Sequence, residues 1–237
     1  MDKLTIYITT YKDFTPIVKS PVYKVLDARD YRSDDDVLDD RFYSEIFMYN
    51  KVKVDTEYVG FCHYRKYFEF LDNIPDIDKI FETYDAITLK PLGLRRNVRD
   101  HYGGVHNGDD LKIVEDIIKE HYPEYKDDFE AVMKGNTFFP MNMFIMRRQD
   151  FERYREFVMG VLNKYVEEVG TDIRKRIEDN KDKYLKKFHP NNTEEYQFRI
   201  GGYLAERLTN VFFCKWFRKV KTFGMVLTEG KYGYKGI

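Results

Sequence analysis

Apolar and polar positions come in blocks whose period changes along the chain. Residues 4–11 (LTIYITTY) are β-branched and aromatic and predict a first strand. Residues 22–27 (VYKVLD) predict a second, and residues 57–64 (EYVGFCHY) and 84–90 (YDAITLK) two more, short and apolar like buried strands. Residues 30–40 form a polar loop with six Asp. Phe42, Ile46 and Tyr49 recur at helical spacing and predict a helix over 38–52, whereas 91–108 mixes Gly, Arg and His and reads as a loop. Leu111, Val114, Ile117, Ile118 and His121 share one helical face, with Asp109 as the expected cap. Pro123 can begin the next helix and Gly135 can end it. Residues 137–147 (TFFPMNMFIMR) predict a buried strand. A stripe from Phe151 to Tyr165, a charged helix over 173–187, an apolar helix from Tyr196 to Phe212 and a closing strand over 222–228 complete the pattern. The alternation predicts an α/β fold over 1–237, a mostly parallel sheet flanked by helices with a helix-rich C-terminal half.

Charge and composition narrow this little. Lys and Arg total 40 against 41 Asp and Glu, a net charge of −1, unlike a nucleic-acid coat or a polybasic membrane binder. With 43% apolar and 34% charged residues the 237-residue chain is globular. Aromatics reach 17%, and the many Tyr suit either polar-ligand clefts or ordinary packing. Two cysteines, Cys62 and Cys214, make neither a disulfide framework nor a zinc spacing, so a reducing cytoplasm is expected. No secretory signal is evident at the N-terminus, and no run approaches the ~18 apolar residues of a membrane span, so membrane contact would be peripheral.

Sheets of this type bind ligands beyond the carboxyl ends of their strands. That selects 9–12, 27–30, 63–66 and 90–96. Phosphate-loop, dinucleotide, zinc-protease and nucleophile-elbow motifs are absent. In YVGFCHYRKYF an apolar strand ends in His63, Arg65 and Lys66, groups suited to a diphosphate. The plainer reading is a strand end where Tyr64 and Phe68 pack and Arg65 pairs with an Asp. Tyr7, Thr9, Thr10 and Tyr11 are candidates around a nucleoside, and Asp27 for a ribose hydroxyl, though Thr and Tyr are also ordinary strand residues. Asn142, polar in an apolar strand, either contacts substrate or pins a loop. Glu206 and Arg207 are adjacent on a helix and are expected to pair elsewhere.

YVGFCHYRKYF resembles the Y-v-G-l-x-H-Y-R-R-Y-F hallmark of a bacterial capsule and exopolysaccharide glycosyltransferase family, first catalogued as a domain of unknown function (DUF4422). Further blocks agree in order: LTIYITTYK; His106 and Asp110-Leu111 with IIKEHYPEY; NMFIM with Phe151 and Tyr154; and Gln197, Arg199, Gly202 and AERL at 205–208. Lys66 departs from the second Arg of the hallmark, and the segment between Val25 and Glu45 is short and Asp-rich, keeping only Glu45 of an E-L-T block.

The resemblance implies a GT-A-like fold, with a nucleotide-sugar-binding half over about 1–90 and an acceptor-binding half over about 91–237. It places His63, Tyr64 and Arg65, followed by Lys66, where such enzymes usually carry a metal-binding Asp-x-Asp, which His63-Tyr64-Arg65 would replace. Cations there would neutralise the diphosphate directly, so metal-independent transfer is expected. Mg or Mn held by Asp34, Asp35 and Asp36 is the alternative. Asp110, with His106, and Glu195 are the expected general bases; either carboxylate could instead serve its helix N-terminus. Asn142, Arg95, Arg96 and Arg199 are the expected acceptor contacts.

The implied donor is a nucleotide sugar, most naturally a UDP-sugar, and the transfer hexosyl or pentosyl. The implied acceptor is a glycan or lipid-linked precursor. A phage-type enzyme acting on a hydroxymethylated DNA base is the alternative, with Arg95, Arg96, Arg99, Lys215, Arg218, Lys219 and Lys221 as phosphate contacts. A non-catalytic nucleotide-sugar or nucleic-acid binding module is a third reading.

Overall fold

A computed structural model describes residues 3–34, 36–185 and 193–228. In chain order the elements are β1 (Leu4–Thr10), β2 (Tyr23–Asp27), α1 (Asp40–Tyr43), β3 (Tyr58–His63), β4 (Lys66–Phe68), α2 (Ile77–Phe81), β5 (Ala86–Leu89), β6 (Leu92–Gly93), α3 (Val98–Val105), α4 (Gly108–His121) and α5 (Lys126–Lys134). There follow β7 (Thr137–Phe138), β8 (Phe144–Arg147), α6 (Arg148–Val169), α7 (Ile173–Asp179), α8 (Lys181–Tyr184), α9 (Glu194–Gln197), α10 (Ile200–Trp216), β9 (Val220–Phe223) and β10 (Met225–Leu227).

The main sheet runs β2-β1-β3-β8-β5-β9. Pairings are parallel except where β8 lies antiparallel between β3 and β5, so the sheet is mostly parallel as expected. Beyond His63 the chain turns back into β4, which pairs with β10. Alternate residues of each strand face opposite layers. Val59, Phe61, Phe144 and Met146 pack towards α4, α6 and α10, while Tyr58, Cys62 and Ile145 pack with Phe68, Ile77 and Phe81. Burial on both faces explains why these strands read as unbroken apolar runs. No helix among the described residues is long and apolar enough to cross a membrane.

Several boundaries differ from the sequence expectation. The helix over 38–52 is only α1, capped by Asp39, followed by a 3-10 turn over Ser44–Asn50. The break is at Ser44, whose φ of 53° is left-handed. The loop over 91–108 contains β6 and α3, the latter capped by Asn97, with Val98 and Tyr102 buried four apart. Asn107, not Asp109, caps α4: its Oδ1 accepts the Asp109 backbone N–H at 3.1 Å. The strand over 137–147 is two strands, because Met141 (φ 74°) and Asn142 (φ 49°) turn the chain between β7 and β8. The charged helix is α7 and α8, its last two residues lying outside the described ones, and the closing strand is β9 and β10.

Gly60 is required by packing. A Cβ there would lie 2.7 Å from Ile145 Cγ1 and 3.0 Å from the Phe144 carbonyl oxygen. Gly60→Ala is therefore expected to cost about 1–3 kcal/mol of stability by urea melts, through overpacking between β3 and β8.

Candidate functional site

Register brings the first three strand ends together. Thr10 of β1 lies opposite Asp27 of β2, and Thr9 lies opposite His63 of β3. This is the carboxyl edge selected from sequence. The individual side chains there are partly committed. Thr9 donates its hydroxyl to the Cys62 carbonyl at 3.1 Å, and Thr10 donates to the Lys12 carbonyl at 2.7 Å. Asp27 caps the next turn and is gripped by the Arg29 guanidinium, whose hydrogen bonds hold its carboxyl below the usual range. Tyr11 stays exposed and stands edge-on to Tyr64, with ring centroids 5.6 Å apart.

His63 is not one of the expected cations. Its Nε2 is 2.7 Å from the Met141 carbonyl oxygen, the geometry of a neutral imidazole donating N–H. Burial, reinforced by Lys66, pushes its pKa down to about 3. The positive charge comes from Arg65 and Lys66 and is joined by Arg199, placed at the acceptor from sequence. The Arg199 guanidinium sits 5.8 Å from the Tyr11 ring, and that of Arg65 is 5.7 Å from the Tyr64 ring. Among the described residues none of these three cations is in an ion pair with a carboxylate, which leaves the plainer reading of Arg65 without its Asp. The hydrogen-bond partner of Lys66 is the Met141 thioether, 3.0 Å from Nζ. A thioether is a weak acceptor, and burial lowers the Lys66 pKa.

Beneath the cations lie two carboxylates that the sequence reading did not place in the site. Glu45 accepts from Asn142 Nδ2 at 2.8 Å and lies 3.8 Å from His63 Nε2. Glu206 accepts from the Met141 backbone N–H at 3.0 Å and from Arg207 at 2.9 Å. The last contact corrects the expectation that Glu206 and Arg207 pair elsewhere: the long Arg side chain folds back, also reaching the Tyr203 carbonyl at 3.1 Å. Burial raises the pKa of both carboxyls. The one sequence signal for Glu45 was its survival from the E-L-T block. Glu206 stood in the AERL block, but that block says nothing about what α10 faces.

Four expected site roles do not survive the geometry. Asp110 is fully buried; its Oδ1 accepts from Tyr165 at 2.7 Å, Tyr184 at 2.9 Å and Arg176 at 2.8 Å. A carboxylate sealed in this way cannot reach an acceptor hydroxyl; it clasps α4 to α6, α7 and α8. His106 is buried too, with Nδ1 3.0 Å from Gln197 Oε1 and its ring stacked 4.0 Å from Tyr203. Asn142 is 2% exposed and pins the turn instead of facing an acceptor. Its Nδ2 also meets the Gly202 carbonyl at 3.3 Å, and its Oδ1 accepts from Thr209 at 3.0 Å. Glu195 is exposed and paired with Arg174 at 3.4 Å, not with the strand-end cluster. Arg95 and Arg96 are exposed between β6 and α3, outside any hydrogen bond or ion pair among the described residues.

Around Arg65, Lys66 and Arg199 the carboxylates are Glu45, hydrogen-bonded to Asn142, and Glu206, hydrogen-bonded to Met141 and Arg207. Asp36 is tied to Lys51 at 2.6 Å, Asp34 is exposed, and Asp35 lies outside the described residues. Among the described residues no group of three or more His, Cys, Asp or Glu is arranged to hold a metal.

Residues 28–183 match the family described as Domain of unknown function (DUF4422). No curated protein matches the sequence. Among solved structures the fold is similar to the apo structure of the WbbM bifunctional glycosyltransferase, with TM-score 0.73 and 21% identity. The alignment covers 97% of this chain but 46% of that one, so the chain spans under half of that protein's length.

Two measurements test these assignments. Between pH 6.5 and about 3 the unfolded chain binds a proton at His63 that the folded chain refuses, so this group's contribution to stability falls as pH drops through that window. His63→Gln, able to keep the bond to Met141, should flatten the urea-melt profile there. Asp110→Ala leaves Arg176 without its partner and is expected to lose roughly 3 kcal/mol in the same assay.

Proposed function

This chain belongs to the DUF4422 family, and we propose that it is a glycosyltransferase moving a sugar from a nucleoside-diphosphate sugar to an acceptor hydroxyl. The observation that carries the reading is Arg65, Lys66 and Arg199 gathered beside the carboxyl ends of β1 and β3 with no carboxylate in an ion pair with them among the described residues. A diphosphate supplies the charge and acceptor oxygens these groups lack. The fold's likeness to a bifunctional glycosyltransferase supports the same reading.

In this reading the diphosphate lies across Arg65, Lys66 and Arg199, and the nucleoside lies towards Tyr11 and the ends of β1 and β2. As the anomeric bond breaks, the electron pair passes to the outer phosphate, and the three cations stabilise that charge in a half-buried setting. No metal is needed for this neutralisation. A UDP-sugar is the proposed donor. Cys62 and Cys214, both free thiols, suit a reducing cytoplasm.

A glycan or lipid-linked acceptor is favoured over a DNA base. Of the cations proposed to grip phosphates, Arg99 is paired with Glu115 at 2.7 Å and Lys215 reaches the Glu124 carbonyl at 2.5 Å. Lys221 lies over the Tyr84 and Phe223 rings.

Calorimetry with UDP and GDP in EDTA is the direct test. At least one nucleotide should bind with metal removed. Arg65→Ala, Lys66→Ala and Arg199→Ala should each weaken binding tenfold or more, since a hydrogen bond to a charged group contributes about 1.5–3 kcal/mol. Binding that requires added Mg or Mn would overturn the metal-free version. No binding of either nucleotide would overturn the transferase reading.

A further inference from the structure

We infer that Glu45 is the general base of the proposed transfer, taking the proton of the acceptor hydroxyl as its oxygen attacks the anomeric carbon. The inference rests on the transferase reading, but concerns a residue to which the expected bases gave no role.

An acceptor hydroxyl needs a carboxylate that is held in place, reachable and not already consumed by ion pairs. The other carboxylates near the site each fail one requirement. Asp110 is sealed under Arg176 and two tyrosines, Glu195 is a surface partner of Arg174, and Glu206 has both oxygens engaged. Glu45 keeps 13% of its side-chain surface accessible and takes its side-chain hydrogen bond from Asn142.

Its position is built, not incidental. Glu45 follows the left-handed Ser44, where Gly201 and Gly202 of α10 pack against the chain. A Cβ on Gly202 would lie 2.7 Å from Ser44 Oγ, and one on Gly201 would lie 2.7 Å from Phe42 Cε1. The two glycines let α10 press directly on the residues before Glu45. Asn142 then fixes the carboxylate from the other side, and is itself held by Thr209 and the Gly202 carbonyl.

The charges around it suit a base beside a leaving diphosphate. Lys66 and Arg199 face Glu45 from β4 and the start of α10, Glu206 from α10, and Tyr49 and Tyr154 from below. His63, 3.8 Å away, is neutral and donates to Met141, so it does not consume the carboxylate in an ion pair. In the step, the acceptor O–H proton passes to a Glu45 oxygen, the acceptor oxygen forms the new bond to the anomeric carbon, and the carbon–phosphate oxygen bond breaks with its electrons leaving on the nucleoside diphosphate. The proton on Glu45 then returns to solvent. A single displacement of this kind inverts the configuration at the anomeric carbon.

The test uses Glu45→Gln and Glu45→Asp, each confirmed as folded by thermal melting, with two readouts. Calorimetry measures UDP and GDP binding. Release of nucleoside diphosphate from UDP-glucose, UDP-galactose and GDP-mannose measures turnover, with water as the acceptor hydroxyl. Glu45→Gln should bind nucleotide within about twofold of wild type, yet turn over about 10²–10⁴-fold more slowly and lose the acid limb of the pH–rate profile. Glu45→Asp should keep that limb at a reduced rate. Turnover of Glu45→Gln within about fivefold of wild type, with the acid limb intact, overturns the base while leaving the transferase reading standing. Failure of wild type to bind either nucleotide overturns that reading, and this inference with it.

Discussion

The buried Asn142 side chain joins three parts of the molecule that the sequence keeps far apart. Its amide donates to Glu45 and to the Gly202 carbonyl, its oxygen accepts from Thr209, and its own carbonyl accepts from Tyr49 at 3.2 Å. The segment after α1, the turn before β8 and the helix α10 are thereby set against one another. A polar side chain in this position is tolerated because every group on it is answered. The left-handed backbone at Met141 and Asn142 has a compensating use: it aims the Met141 carbonyl at His63 and the Met141 N–H at Glu206. Backbone strain next to a cluster of charged side chains is the arrangement expected where ligand geometry must be held firmly.

Charge in this part of the molecule is layered. Arg65, Lys66 and Arg199 lie at the strand ends, Glu45 and Glu206 lie beneath them, and His63 between is uncharged. Lys66 illustrates the cost. Its ammonium is drawn out of water towards a thioether, a weak acceptor that solvates a cation poorly. An arriving anion would repair that deficit, and part of its binding energy would come from relieving it.

The strands were legible because burial on both faces turns β1, β3, β5 and β8 into apolar runs, and the long stripes of α6 and α10 keep a helical period. The short pieces were not. The period through Phe42, Ile46 and Tyr49 is real, yet Ser44 breaks the helix where Gly201 and Gly202 pack against it from far along the chain. At the site, His63, Arg65 and Lys66 were legible as a strand end, but the imidazole's charge was not, since it depends on burial and on a carbonyl 78 residues away. Asp110 misled for the same reason. Its spacing from His106 suggested chemistry, whereas the three donors that close over it come from α6, α7 and α8.

The strand β8 bears on how such a chain is made. It lies between β3 and β5, so β3, already paired with β1, lacks its neighbour on that side until residue 147 is available, and β5 lacks any partner in this sheet until then and gains its outer neighbour only with β9. During synthesis β5 and one edge of β3 would be exposed before β8 is made. Contacts this distant in sequence slow folding and prolong that exposure.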